Sequence, residues 1–234
     1  LLVTLDPLPA INITGLPDLI TPGQQPGVGI EASAAYPADI TGRLDLEFTP
    51  DPPVAGVDPA LQFSTGGRSV EFRIPAGQTR AVFSQTGLAL QTGTVAGTAT
   101  LRLTTSVAGQ SARPSNTPDR SVRIRHMEPV LNSVTLERRT DGFNVVIVGF
   151  STTREVSEAS VTLVPATGRD LQSTRIVVPL TAFFRTWYDG AASFPFGTQF
   201  KVTMPFNGDN AAIQAVTVRL RNSIGESEER RVTF

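Results

Sequence analysis

Chemistry at neutral pH needs side chains that ionise or attack near neutrality, and this chain of 234 residues has few: no cysteine, one histidine (His126) and one lysine (Lys201). A Ser–His–Asp relay would have to run through His126. The Gly-x-Ser-x-Gly turn that presents a nucleophilic serine is absent. Without thiolates and with a single imidazole, His- or Cys-based metal sites are excluded within one chain. His126 sits beside Met127-Glu128-Pro129 and reads as a packing or surface residue at a junction.

Oxygen-based chemistry is the remaining possibility. Asp45 and Glu47 share a strand face, and Glu226, Glu228 and Glu229 cluster near the end. A glycosidase needs two facing carboxyls across a cleft, whereas carboxylates on a strand face are usually solvated. For calcium, Asn207-Gly208-Asp209-Asn210 is oxygen-rich and Asp51 and Asp58 bracket a loop. Neither has the spacing of a dedicated calcium loop, and Asn-Gly is a favoured hairpin turn in its own right. Asn12-Ile13-Thr14 matches the glycosylation sequon. A covalent Lys–Asn crosslink would need a buried lysine, and Lys201 reads instead as an exposed charge on a strand.

One segment is rich in rings. Leu180 to Asp189 (LTAFFRTWYD) departs from the β pattern, and Phe183, Phe184, Trp187 and Tyr188 recur at helical spacing. Two readings follow. With Phe194 and Phe196, the group is a sugar-stacking platform whose contacts are Trp187 and Tyr188, or it is a plug over a satellite core. The helical spacing and the proline-flanked loop favour the plug.

The elements that must position these residues are strands. Leu1, Val3 and Leu5 alternate ahead of Pro7. Leu44, Leu46 and Phe48 share a face, as do Val70, Phe72 and Ile74, then Ala99, Leu101 and Leu103, then Val122 and Ile124. After His126-Met127-Glu128-Pro129 the rhythm restarts with Val134 and Leu136. A nearly continuous apolar run follows from Phe143 to Phe150, the pattern of a central, doubly covered strand. Val161/Leu163, Ile176/Val178, Phe200/Val202/Met204, Val216/Val218/Leu220 and Val232/Phe234 complete it. Turn signals at short spacing predict an all-β fold of two tandem immunoglobulin-like β-sandwich domains, residues 1–126 and 127–234, the second with a short helical crossover. The short junction predicts modules held end to end.

Composition narrows the partners. Formal net charge is −1, with 9 basic and 10 acidic residues in 1–126 and 11 of each in 127–234. Neither half carries the one-sided positive charge that phosphate backbones demand, which argues against nucleic acid as a partner. No apolar run reaches the length of a membrane span. The first residue is Leu1 rather than Met, so the start reads as internal or processed. No cofactor is expected.

Four stretches carry a resemblance: Gln62 to Arg68 (QFSTGGR), Ile74 to Gly77 (IPAG), Leu90 to Thr98 (LQTGTVAGT) and Gly149 to Val156 (GFSTTREV). In these the chain resembles bacterial immunoglobulin-like and fibronectin-III-like tandem modules of large secreted or cell-surface proteins. The resemblance implies a non-catalytic extracellular structural or adhesive module and supplies no catalytic residue. Its partners would be other domains of the same protein or neighbouring subunits. Leu1, Val3 and Leu5 form an apolar strand ahead of a module that already has enough strands. That strand would complete a neighbour's sheet by strand addition or pair within its own module. The competing expectation is a carbohydrate-binding accessory module that holds polysaccharide through Trp187 and Tyr188.

Overall fold

Period-2 alternation gives each strand one face that must leave water, and two such faces stacked make a sandwich. The computed structural model describes residues 7–52 and 58–234. The chain divides between Arg125 and His126 into two units, each with its own core.

The first unit contains β1 (Ile11–Thr14), β2 (Leu19–Ile20), β3 (Gly29–Ala32), β4 (Ile40–Pro50), β5 (Leu61–Phe63), β6 (Ser69–Ile74), β7 (Val82–Phe83), β8 (Leu90–Thr92), β9 (Gly97–Val107), β10 (Gln110–Ser111) and β11 (Arg120–Ile124). The larger sheet runs β2-β11-β9-β4-β6-β7, with β10 also on β9. The pairs β1–β3 and β5–β8 make the facing layer. They are joined by the antiparallel bridge Gly27–Ala89 and by bonds from Val28 N to Leu88 O and Leu90 N to Pro26 O. Ile11, Ile30, Leu44, Phe63, Leu90 and Leu101 are buried in this core. Leu8 belongs to it too and pairs with Pro114, so the unit's own fold begins before β1. The expected strand at Leu1, Val3 and Leu5 lies outside the described residues.

Two local devices hold this unit together. The first is glycine beneath a cross-strand phenyl ring. A Cβ on Gly42 would lie 2.6 Å from Phe72 Cζ and 2.2 Å from Thr104 O. Gly97 stands in the same relation to Phe48, and Gly149 of the second unit to Phe200. Each ring covers backbone that the missing side chain leaves bare. The second device explains the LQTGTVAGT stretch. Asp58, 1% exposed, turns Oδ2 to Thr94 N (2.5 Å) and Val95 N (2.9 Å) and Oδ1 to Ala60 N (2.9 Å). A buried carboxylate is tolerated because backbone N–H groups replace its water. Gly93, at φ +63°, is confined by that carboxylate, since its Cβ would fall 2.4 Å from Asp58 Oδ2.

The second unit has β12 (Val130–Arg139), β13 (Gly142–Phe150), β14 (Glu158–Pro165), β15 (Arg175–Pro179), β16 (Gln199–Asn207), β17 (Ile213–Arg221) and β18 (Arg230–Thr233). Three strands form β12-β13-β16 and four form β15-β14-β17-β18. The fourth strand of the unit joins the larger sheet, an immunoglobulin-like arrangement of the fibronectin-III kind. β13 is the central strand expected from its apolar run. Phe143, Val145 and Ile147 enter the core, while Val146 and Phe150 are buried on its other face. The helix α1 (Thr181–Asp189) and a 3-10 helix (Ala191–Phe196) carry the chain from β15 in one sheet to β16 in the other, which is the predicted crossover.

Gly42 gives a sharp test. Valine favours strands by at most about 1 kcal/mol, but overpacking a sheet interior costs about 1–3 kcal/mol, and here the obstruction is backbone. Gly42→Val should therefore lower stability by about 1–3 kcal/mol, read from the urea midpoint at unchanged slope. An equal or higher midpoint would reject this account.

Candidate functional site

The crossover gathers the chain's densest group of rings. Pro179 ends β15, and Leu180 N and Thr181 Oγ1 both bond to Ser157 O (2.9 and 3.3 Å), which starts the helix without a side-chain cap. Leu180, Phe184 and Tyr188 follow at intervals of four and are buried. Phe184 meets Phe200 of β16 edge-on at 4.8 Å. Phe183 and Trp187 lie on the neighbouring flank of α1, and Trp187 sits 6.2 Å from Phe196 of the 3-10 helix.

Arg154 pins this assembly. It adopts φ +54°, an uncommon conformation for a residue with a side chain. It follows Ser151, whose carbonyl accepts Arg154 N at 2.9 Å and whose hydroxyl donates to Glu155 O at 2.6 Å. That turn aims the guanidinium at Gly197 O (3.1 Å), Ser193 Oγ (3.3 Å) and the Tyr188 carbonyl. It also lies 5.0 Å above the Tyr188 ring. The end of α1 has carbonyls that the helix cannot satisfy, and a cation there meets both their lone pairs and the helix dipole. Burial pushes the Arg154 pKa down, opposed by Tyr188 and Asp189, and a guanidinium keeps its charge regardless.

Two ring donors complete the fastening. Trp187 Nε1 donates to Gln199 O (3.2 Å), and Tyr188 OH donates to Thr198 O (2.6 Å). Both carbonyls lie at the start of β16, an edge strand of its sheet, so the helix covers part of an edge that would otherwise be open to pairing. Farther along β16, the exposed Lys201 and Pro205 are residues that discourage edge pairing.

The rings named by the platform and plug readings differ in exposure. Tyr188 is 3% exposed, with its hydroxyl engaged, and Trp187 is half-buried. The rings that face solvent are Phe183 (50% exposed), Phe194 (53%) and Phe196 (51%). Each keeps about half of its ring surface in water. Helical spacing located the rings. It could not say which flank would be covered, because that depends on β16 and on Arg154, whose left-handed turn leaves only the short Ser-Thr-Thr run as a signal.

The oxygen candidates are engaged elsewhere. Asp45 bonds to Arg43 (3.0 Å), Glu47 and Asp119 to Arg102, Asp51 to Arg123 (2.7 Å), Glu226 to Arg221 (2.7 Å) and Glu229 to Arg219 (3.1 Å). The hydrogen bond from Arg221 is the main cause that holds Glu226 below the usual carboxylate range. Asn207-Gly208-Asp209-Asn210 is no hairpin turn: it carries the chain from β16 to β17 in the other sheet through a 3-10 helix (Asn210–Ala212) capped by Asp209. Asp209 Oδ1 accepts Ala211 N (2.8 Å) and Asn210 Nδ2 donates to Arg139 O (3.1 Å). Among the described residues, no group of three or more His, Cys, Asp or Glu side chains is placed to hold a metal ion, and no helix is long and apolar enough to cross a membrane.

No protein-family model matches the chain, and no curated protein does. Solved structures with which it shares a likeness include the FN1-FN3 domains of chicken CNTN1 (10% identity, 94% of this chain and 68% of that one, TM-score 0.27). They also include the class 5 fimbriae chaperone CfaA (10%, 95% and 98%, TM-score 0.29) and the E. coli chaperone DraB (9%, 96% and 96%, TM-score 0.28). The fold assignment rests on the strand orders described above.

Arg154→Met should lower stability by about 2–4 kcal/mol, since it strips a charged donor from buried carbonyls. Emission from Trp187, the sole tryptophan, should shift to the red as the helix loosens. A midpoint and spectrum matching the parent would reject the pinning role. Burial also pushes the Tyr188 pKa far up. The folded state therefore keeps the proton while the unfolded chain releases it near pH 10, and stability is full below that pH and falls as pH rises above it. In a Tyr36→Phe background, phenolate absorbance should appear only together with unfolding. Titration of the folded protein near pH 10 would contradict this.

Proposed function

We propose that this chain is a non-catalytic extracellular module with a structural or adhesive task, one that works through its surfaces rather than through a reaction. The observation that carries the reading is the exposure of Phe183, Phe194 and Phe196 on one insert. Three apolar rings are held in water on an insert fastened by Arg154, Trp187 and Tyr188. The half of each ring left in water adds nothing to the fold's own stability, whereas preorganised aromatics are what a contact surface uses. The partner is another domain of the same protein or a neighbouring subunit. A glycan contact at this end would run through the exposed phenyl rings, with Trp187 behind them.

Assembly by strand addition is a second part of the proposal. Its support is the alternation of Leu1, Val3 and Leu5 together with edge strands at β7 and β15. Its test must spare Leu8, which belongs to the first unit's core.

Both parts are read from one measurement, sedimentation across a concentration series. Phe183→Ser, Phe194→Ser and Phe196→Ser combined should leave the thermal midpoint within a few degrees and weaken association by about tenfold or more. Deletion of residues 1–6 should shorten or abolish any linear assembly. If the parent protein associates and neither change alters it, both surfaces are rejected. A parent that stays monomeric at every concentration would rule out self-assembly.

A further inference from the structure

The outer face of the first unit's large sheet carries a trough of about 860 Å³, bordered by Thr41 and Arg43 of β4, Glu71 and Arg73 of β6, Val82 of β7 and Ser106 of β9. The strand registers arrange these residues in rows. Ser111 pairs with Ser106, Ser106 with Thr41, Thr41 with Arg73, and Arg73 with Val82. One unbroken row therefore crosses five strands. A second row beside it runs Thr104, Arg43, Glu71. Neighbouring strands lie about 4.8 Å apart, so the long row spans about 19 Å.

From this arrangement we propose that the trough binds a neutral polysaccharide chain, laid across the strands. The rung spacing is close to the length of one pyranose unit, so about four sugars would each face one gap between strands. The rungs also offer what such a chain asks for. Thr41 and Ser106 share a hydroxyl–hydroxyl bond of 2.8 Å, and each hydroxyl keeps further capacity to donate or accept. Arg43 is held by Asp45 (3.0 Å) and Arg73 by Asp39 (2.6 Å), so both guanidiniums are oriented by partners outside the lining and still have N–H groups to give. Val82, 52% exposed, provides an apolar contact at one end for the C–H face of a sugar.

The charge balance selects against other polymers. Two arginines are offset by Asp39 and Asp45, and Glu71 adds a negative charge, so a polyanion would meet net repulsion. An extended peptide would seek backbone groups along a sheet edge and apolar pockets for its side chains, whereas these rows offer mainly polar side chains on the face of the sheet, running across the strands. The site lies in the first unit, whereas Phe183, Phe194 and Phe196 belong to the second.

The test is calorimetric titration of the full chain with neutral gluco-, manno- and xylo-oligosaccharides of four to six units, beside uronic-acid oligomers of equal length. At least one neutral series should bind with sub-millimolar affinity that strengthens with length up to about four units and is unchanged by added salt. Thr41→Val with Ser106→Val keeps strand-favouring shapes, so the thermal midpoint should hold while affinity falls about tenfold. Phe194→Ser with Phe196→Ser should bind like the parent. The proposal is overturned if no neutral oligomer binds at millimolar concentration, if only the uronic-acid oligomers bind, or if binding survives the hydroxyl changes and is lost with the phenyl changes.

Discussion

The aromatic end of the second unit depends on one cation. Arg154 brings a charged, planar donor to carbonyls that a short helix and a 3-10 turn would otherwise leave bare in a partly dry environment. Its left-handed backbone places it there, and the Ser151 hydroxyl and carbonyl stabilise that turn. Charge-assisted bonds to buried acceptors are among the stronger local terms in a fold. They allow α1 to sit against β16, seat Phe184 on Phe200 and leave Phe183, Phe194 and Phe196 outside. Without the guanidinium, the same rings would be a mobile apolar loop.

The first unit solves a comparable problem with a carboxylate. Asp58 satisfies the backbone N–H groups of Thr94 and Val95 from within, and Gly93 is small enough to let it in. In both places a polar group, Asp58 buried and Arg154 partly buried, is drawn inward because backbone needs a partner. That is why these residues belong to structure rather than to chemistry. Several acidic and basic side chains on the outer faces are mutually paired. Exposed pairs of this kind add little stability, but they keep the sheet faces wet and close to charge balance.

Edges are handled with equal economy. The helix and its ring donors cover the start of β16, and Lys201 and Pro205 follow on the same strand. The proposed N-terminal strand addition therefore has its natural acceptors at other edges, β7 and β15, where exposed Val82 and Val177 lie. The proposed surface contact, strand pairing and polar trough would be three uses of one architecture, each working through backbone edges and side-chain surfaces.

The sequence by itself determined the all-β class, the restart of the strand rhythm after His126, the central strand at Phe143–Phe150 and the helical crossover. All of these follow from short-range periodicity, and each residue's face is set by its neighbours two or four positions away. It also determined what chemistry was scarce, because composition needs no fold. Only the tertiary structure decided which flank of α1 was covered, that Tyr188 lay inside and Phe194 and Phe196 outside, and that Asp58 belonged to Thr94 and Val95. It alone aligned Ser111, Ser106, Thr41, Arg73 and Val82 in one row. Those relations join residues up to dozens of positions apart through cross-strand register and side-chain geometry, and register is a property of the assembled sheet that no local pattern encodes.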